Sequence, residues 1–189
     1  PYALFAQWYL AAEAAGLPEP SAMTLATATA AGIPDARMVL MRGFDERGFV
    51  FYTNYQSRKA SEVAENPRAA LVMYWAPLMR QIRIEGMVQK ISPEESDAYF
   101  HTRPFGHQLG AVVSPQSQVI PDRKYLEDRL AELLKKHADH PDVPRPAHWG
   151  GYRVMPHAIE FWQGRANRLH DRLRYRKDRE TWLIERLAP

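Results

Sequence analysis

The sequence contains no cysteine. That excludes disulfides, cysteine-ligated zinc, iron–sulfur clusters and a thiol nucleophile. It suits a reducing compartment, so the expected location is cytoplasmic. No apolar run approaches the roughly 20 residues that a membrane-spanning helix needs, and no membrane partner is expected. The stretch from Pro1 to Ala15 has no basic region and does not read as a secretory signal. Excess charge is also scarce, at +3 over 189 residues, too little to argue for nucleic acid. There is no Walker loop, no Gly-x-Gly-x-x-Gly, no His-Glu-x-x-His and no Gly-x-Ser-x-Gly elbow. His137, His140 and His148 lack metal-ligand spacing with a supporting carboxylate and read as loop residues. Without repeats, low-complexity tracts or a linker, residues 1–189 read as a single domain, long enough to bury its own core.

Punctuation and periodicity divide the chain. Residues 2–15 carry apolar residues at helical spacing and stop at Gly16, with Pro18 and Pro20 beyond. Met23 to Thr29 reads as a strand. Arg37 to Arg42 and Gly48 to Thr53 read as two strands of a hairpin turning at 45–48. Ser57 is placed to cap a helix over 58–65, which Asn66-Pro67 ends. Arg68 to Trp75 and Arg80 to Ile91 are further strands. Ser92-Pro93-Glu94-Glu95 opens a helix that runs to about Thr102, and Asp122 to His137 is another. His140 to Gly151 reads as a loop. Strands at 152–155, 158–164, 168–176 and 181–186 close the chain. The helices do not alternate with the strands, which excludes a doubly wound sheet. The expected class is mainly β (α+β), an antiparallel barrel, closed or partly closed, with peripheral helices.

Chemistry is suggested by the cations. If 168–176 is extended, Arg168, His170, Arg172, Arg174 and Arg176 share one face. Guanidinium forks match phosphate or carboxylate, and an imidazole can give or take a proton near neutrality. The same pattern describes a charged edge strand facing solvent, and period alone does not separate the two. Arg165, Lys177 and Arg179 add to this basic stretch, which suits phosphate, RNA or a solvated edge equally. Ser57-Arg58-Lys59 opens a helix directly after a strand, a natural anion cradle. Regular alternation puts Arg37 and Arg42 on opposite faces, so they serve one ligand only if a bulge or twist intervenes. Gln81, Arg83 and Glu85 share a face opposite Ile82 and Ile84, where they could meet a heterocycle or water. Arg103 at a helix C-terminus is explained by the helix dipole alone. Tryptophans such as Trp162 are more often core than cofactor stack.

These segments together resemble one known family. The matching stretches are Arg37-Met38-Val39-Leu40-Met41-Arg42, Phe49 to Asn54, Ser57-Arg58-Lys59, Arg80 to Gly86, Glu95 to Pro104, Pro115-Gln116-Ser117, Pro144-Arg145-Pro146, Trp149-Gly150-Gly151, Glu160 to Gly164, Arg168-Leu169-His170-Asp171-Arg172 and Arg186 to Pro189. In this order, over nearly the whole chain, they resemble the pyridoxine/pyridoxamine 5'-phosphate oxidases. The resemblance implies a split β-barrel homodimer that binds FMN at the subunit interface, with a C-terminal dimerisation region at about 147–189. It implies oxidation of pyridoxamine 5'-phosphate or pyridoxine 5'-phosphate to pyridoxal 5'-phosphate, by hydride transfer from C4' to flavin N5 and reoxidation by O2 to H2O2. By the same likeness the FMN phosphate meets Arg37, Arg58 and Lys59, with Gln116 and Ser117 supplied across the dimer. The segment Met38, Val39, Leu40 and Arg42, with Tyr52 and Thr53, also belongs to the cofactor site, and Gln81, Trp162 and Arg172 surround the flavin rings. The substrate phosphate meets Arg42, Tyr99, Arg103 and His107, and Arg168 and His170 sit over the pyridine ring as the catalytic pair. Arg42 and His107 replace the family's usual Lys and Ser, and both can still donate to phosphate. Related readings are a flavin oxidase of dihydrophenazine-like substrates, a non-catalytic FMN or pyridoxal phosphate binder, and an RNA-binding barrel.

Overall fold

A computed structural model describes residues 1–138 and 142–189; the expectations for His140 and part of the loop around it lie outside the described residues. Helix α1 (Tyr2–Ala14) leads into β1 (Ala22–Ala28), β2 (Pro34–Leu40), β3 (Gly43–Asp45) and β4 (Gly48–Asn54). Helix α2 (Arg58–Glu65) precedes β5 (Arg68–Trp75) and β6 (Arg80–Lys90). Helices α3 (Pro93–Thr102), α4 (Phe105–Val113) and α5 (Lys124–Lys136) follow, then β7 (Trp149–Gln163), β8 (Asp171–Asp178) and β9 (Thr181–Arg186). Every pairing is antiparallel, and the order β2-β1-β5-β6-β7-β4-β3 forms one curled sheet, with β8 and β9 continuing from β7. This is a split barrel with peripheral helices.

The split has a simple origin. One edge of β7 pairs with β6 over most of its length, while the other edge pairs with β4 at residues 149–154 and with β8 at 158–163. The register slips between Glu85 and Gly86, where Glu85 faces Ala158 but Gly86 faces Pro156. His157 is therefore the extra residue of a β-bulge, which bends the strand and increases twist at the fork. The expected strands 152–155 and 158–164 are thus one bulged strand, which begins inside the stretch read as a loop. The expected 37–42/48–53 hairpin is also revised. β2 pairs with β1, and the hairpin joins β3 to β4. Helix α4 was not legible, because glycines at 106 and 110 lower its helix propensity.

Alternation places Met23, Leu25, Leu71, Met73, Ile82, Ile84, Ile159 and Phe161 in the barrel interior, and α1 closes it with Phe5. A smaller cluster of Phe100, Leu109, Val143 and Trp149 fixes α3 and α4 against the start of β7. The cap of α3 forms as its sequence requires, with Ser92 accepting from the Glu95 N–H at 3.1 Å. Among the described residues, no helix is long and apolar enough to cross a membrane.

A Cβ on Gly86 would stand 2.2 Å from the Met155 carbonyl oxygen, which is backbone and cannot swing aside. Gly86→Ala is therefore expected to cost about 2–3 kcal/mol by overpacking, read as a lower urea midpoint. Gly106→Ala, where a Cβ meets open space, is expected not to lower it. Equal midpoints for the two variants would refute the packing account of the bulge.

Candidate active site

One cavity of about 1170 Å³ opens where β2, β4, α2, α3, α4 and the segment after α4 converge. It is lined by Arg37, Met38, Val39, Leu40, Arg42, Tyr52, Thr53, Arg58, Lys59, Tyr99, Arg103, His107, Gln116 and Ser117. Arg37 and Arg42 share it despite their spacing. β2 stops at Leu40, and the next residues change partners. The Met41 N–H donates to the Ser21 carbonyl at 2.9 Å and the Arg42 N–H to the Val50 carbonyl at 2.8 Å. Leaving one partner strand for another turns Arg42 toward the side that Arg37 already faces.

The two ends of the cavity carry separate cation groups. At one end are Arg37, Arg58 and Lys59. Lys59 is 9% exposed, and its Nζ donates to Ser57 Oγ at 3.4 Å and Gln116 Oε1 at 3.2 Å, both neutral oxygens. Burial, then the neighbouring Arg37, lowers its pKa from the usual lysine value. Ser57 was expected to cap α2, but its side chain makes no cap bond and serves Lys59 instead. Thr53 Oγ1 donates to the same Gln116 oxygen at 2.9 Å. Gln116 and Ser117 thus reach the cavity of their own chain, which corrects the expectation that a partner supplies them. The Ser117 backbone sits at φ 71°, a left-handed turn that brings the segment to the cavity rim.

Arg58 and Arg37 are held by two carboxylates, one behind them and one on the cavity wall. Glu62 accepts from Arg58 Nε at 2.9 Å, from Arg37 Nη2 at 3.0 Å and from the Thr27 hydroxyl. Asp35 bridges the same two arginines from the cavity side. Burial pushes the Glu62 pKa up, but the hydrogen bonds from Thr27, Arg58 and Arg37 outweigh it and hold the carboxyl below the usual range. Neither acid was singled out in the sequence. The signal was present in the i,i+4 spacing of Arg58 and Glu62.

At the other end, Arg103 lies 4.6 Å above the Trp149 ring and 5.6 Å from Phe100. Its Nη1 is buried and has no protein hydrogen-bond partner. A buried charged nitrogen without an acceptor is rare in a native protein and calls for a ligand. The helix dipole alone does not explain this arginine. Tyr52 stacks on Tyr99 at 3.9 Å and on Trp149 at 5.3 Å, so an aromatic wall joins the two ends.

The remaining expected site residues lie elsewhere on the chain. Gln81, Trp162 and Arg172 are directly paired across β6, β7 and β8 and form one row. They do not line the cavity. Arg172 is fixed by Glu160 at 2.7 and 3.1 Å. The strand expected over 168–176 begins only at Asp171, so Arg168 and His170 are not on its face with Arg172, Arg174 and Arg176. Instead Asn167 and Arg168 take left-handed backbone conformations at φ 57° and 61° in a short turn. Such strain in non-glycine residues clusters at functional sites. His170 packs on Trp162 at 4.6 Å, and its Nδ1 accepts from the Arg165 N–H at 3.1 Å, which leaves Nε2 free to address a ligand. Arg83 and Glu85 pair with one another at 3.0 Å, away from the cavity. His148 Nε2 lies 3.2 Å from the Ala111 carbonyl oxygen, and no group able to hold a metal occurs among the described residues.

Comparison with known proteins fits this geometry. Residues 10–137 match the family model for pyridoxamine 5'-phosphate oxidase, and residues 149–189 match that for the pyridoxine 5'-phosphate oxidase C-terminal dimerisation region. The chain belongs to the pyridoxine/pyridoxamine 5'-phosphate oxidase family. It is 58% identical over its whole length to the pyridoxine/pyridoxamine 5'-phosphate oxidase of Acaryochloris marina, covering 86% of that protein. It is 55% identical to that of Salinibacter ruber, again over its whole length and 89% of the relative. Among solved structures, PhzG from Burkholderia lata 383, in complex with tetrahydrophenazine-1-carboxylic acid, superposes with a TM-score of 0.95 at 35% identity, covering 100% of this chain and 92% of that one. An FMN-binding protein from Nostoc punctiforme shares the fold at 20% identity and a TM-score of 0.79, covering 100% and 97% of the two chains.

The Tyr52 hydroxyl has its pKa pushed up to about 12, by burial first and then by Glu95 and Tyr99. A raised folded-state pKa gives stability that is complete below the unfolded value near 10 and is lost as pH rises toward 12. Tyr52→Phe is expected to flatten the fall in urea-unfolding free energy between about pH 10 and 12. An unchanged slope would show that Tyr52 ionises normally.

Proposed function

We propose that this chain, as a homodimer, binds FMN and oxidises pyridoxamine 5'-phosphate or pyridoxine 5'-phosphate to pyridoxal 5'-phosphate, in the cytoplasm and with dioxygen as final acceptor. The observation that carries this reading is the presence of two distinct cation groups in one cavity. Arg37 and Arg58 share the carboxylates of Glu62 and Asp35, with Lys59 on Gln116 beside them, whereas Arg103 is carried on the rings of Trp149 and Phe100. One cavity with two anion ends and an aromatic wall between them suits two aromatic phosphate monoesters bound side by side.

The residues fit FMN. Arg37, Arg58, Lys59 and Ser117 offer charged and neutral donors for its phosphate, at the N-terminus of an eight-residue helix. The unpartnered Arg103 nitrogen, with Arg42, Tyr99 and His107, would take the substrate phosphate. Gln81, Trp162 and Arg172 would hold the isoalloxazine ring from the partner chain, since their own chain keeps them off the cavity. Leu169 is 70% exposed and Tyr74 60% exposed around that row, apolar surface that a partner would cover. When bound, FMN supplies the two-electron redox chemistry that takes the substrate from C4' alcohol or amine to aldehyde level. The protein's share is positional: Arg168, from its strained turn, would hold the substrate ring, and His170 would offer Nε2 for a proton at the substrate.

A second reading, oxidation of a dihydrophenazine-like substrate, is favoured by the PhzG superposition. The relatives at 55–58% identity outweigh one at 35%. The discriminating assay supplies FMN and then pyridoxamine 5'-phosphate in air, following peroxide and aldehyde. Arg168→Ala is expected to lower kcat/KM about 100-fold with FMN affinity unchanged, and Arg103→Ala to raise KM at least tenfold. Failure to bind FMN sinks the reading, and an FMN-loaded protein inert to both vitamin phosphates moves the substrate.

A further inference from the structure

We infer that Glu62 is a positioning residue for the cofactor phosphate, a buried counter-anion that keeps two guanidinium groups side by side and aimed at one point. The inference rests on the reading that the Arg37, Arg58 and Lys59 end of the cavity receives the phosphate of FMN.

Glu62 stands on α2 one turn beyond Arg58, and its side chain is 4% exposed. It does not line the cavity, whereas Arg37 and Arg58 do. Its two oxygens divide the work. Oε1 accepts from Arg58 Nε at 2.9 Å. Oε2 accepts from Arg37 Nη2 at 3.0 Å and from the Thr27 hydroxyl, which itself accepts from Arg37 Nη1. Arg37 is thereby fixed at two nitrogens, and Thr27 is 4% exposed on β1. Helix α2, β1 and β2 are tied together through this one carboxylate. Arg58 itself is 59% exposed and would otherwise sample many rotamers.

Two effects of opposite sign meet here. A carboxylate near a phosphate site repels the phosphate, so its removal could tighten binding. Against this, two guanidinium cations that share a site repel each other, and an anion between them offsets that repulsion and orders both side chains. The geometry favours the second effect. Glu62 accepts from three donors, so its charge is largely compensated, and it lies behind the arginines rather than beside the cavity. Asp35, 28% exposed and on the cavity wall, is the carboxylate that an incoming anion meets directly.

The test compares apoprotein affinity for FMN and for riboflavin, which lacks the phosphate, by quenching of flavin fluorescence. The variants are Glu62→Gln and Thr27→Val, the second removing one supporting hydrogen bond at little change in volume. Glu62→Gln is expected to weaken FMN binding about tenfold or more while moving riboflavin less than about threefold. Thr27→Val is expected to shift the same ratio in the same direction, by less. A merely structural role would weaken both flavins alike. An unchanged or increased FMN-to-riboflavin preference in Glu62→Gln, or in Thr27→Val if the first variant does not fold, overturns the inference. If the unmodified protein shows no preference for FMN over riboflavin, it is the phosphate assignment itself that fails.

Discussion

The structure depends on how β7 shares its hydrogen bonds. A strand has two edges, and each position of an edge can pair once. β7 gives one edge to β6 and divides the other between β4 and β8. That division splits the barrel and also separates the expected site residues. β4 brings Tyr52 and Thr53 to the cavity beside the N-terminal end of β7, where Trp149 stands. β8 places Arg172 beside Trp162 at the C-terminal end of the same strand. Fifteen residues of strand at about 3.3 Å each put those ends tens of ångströms apart in one chain. A single chain therefore keeps Gln81, Trp162 and Arg172 away from its own cavity.

The second constraint is electrostatic. Two neighbouring cations 4 Å apart repel by about 4 kcal/mol at an effective dielectric of 20. The cavity gathers Arg37, Arg58 and Lys59 at one end and Arg42 and Arg103 at the other. The first group is relieved by Asp35 and Glu62. At the second, Arg103 is carried on aromatic faces and one buried nitrogen has no protein acceptor. The first end is therefore ordered by the protein itself, and the second is completed by what binds. That asymmetry fits a cofactor that stays and a substrate that comes and goes.

Much of this was legible in the sequence, and the failures have physical causes. Period-2 alternation gave the strands, and Ser92-Pro93 with Glu95 gave the start of α3, because these signals act over a few residues. The fate of Arg42 was not legible, since a change of partner strand after Leu40 is a tertiary event. The bulge at His157 hid the unity of β7, because one inserted residue reverses which face the alternation predicts. Extending β8 back to Arg168 failed for a related reason. Asn167 and Arg168 adopt a left-handed turn that arginine rarely favours, so no local preference announces it. The resemblance carried the site residues by position alone. It assigned Gln116 to the partner chain, whereas the bonds to Lys59 and Thr53 form within one chain.

The turn at 167–168 brings these points together. Its strain is local, of order 1–3 kcal/mol for each such residue, and must be held by its surroundings. The surroundings here are polar and specific. Arg165 pairs with Asp171 at 2.7 Å, Asp171 also holds Arg186 at 2.7 Å, and the Arg165 N–H fixes the His170 ring. Arg168 itself is exposed and does not line the cavity of its own chain. Arg168 is thus kept in an unfavourable backbone conformation by the ion pairs and hydrogen bond that flank it, and not by any packing against the cavity of its own chain.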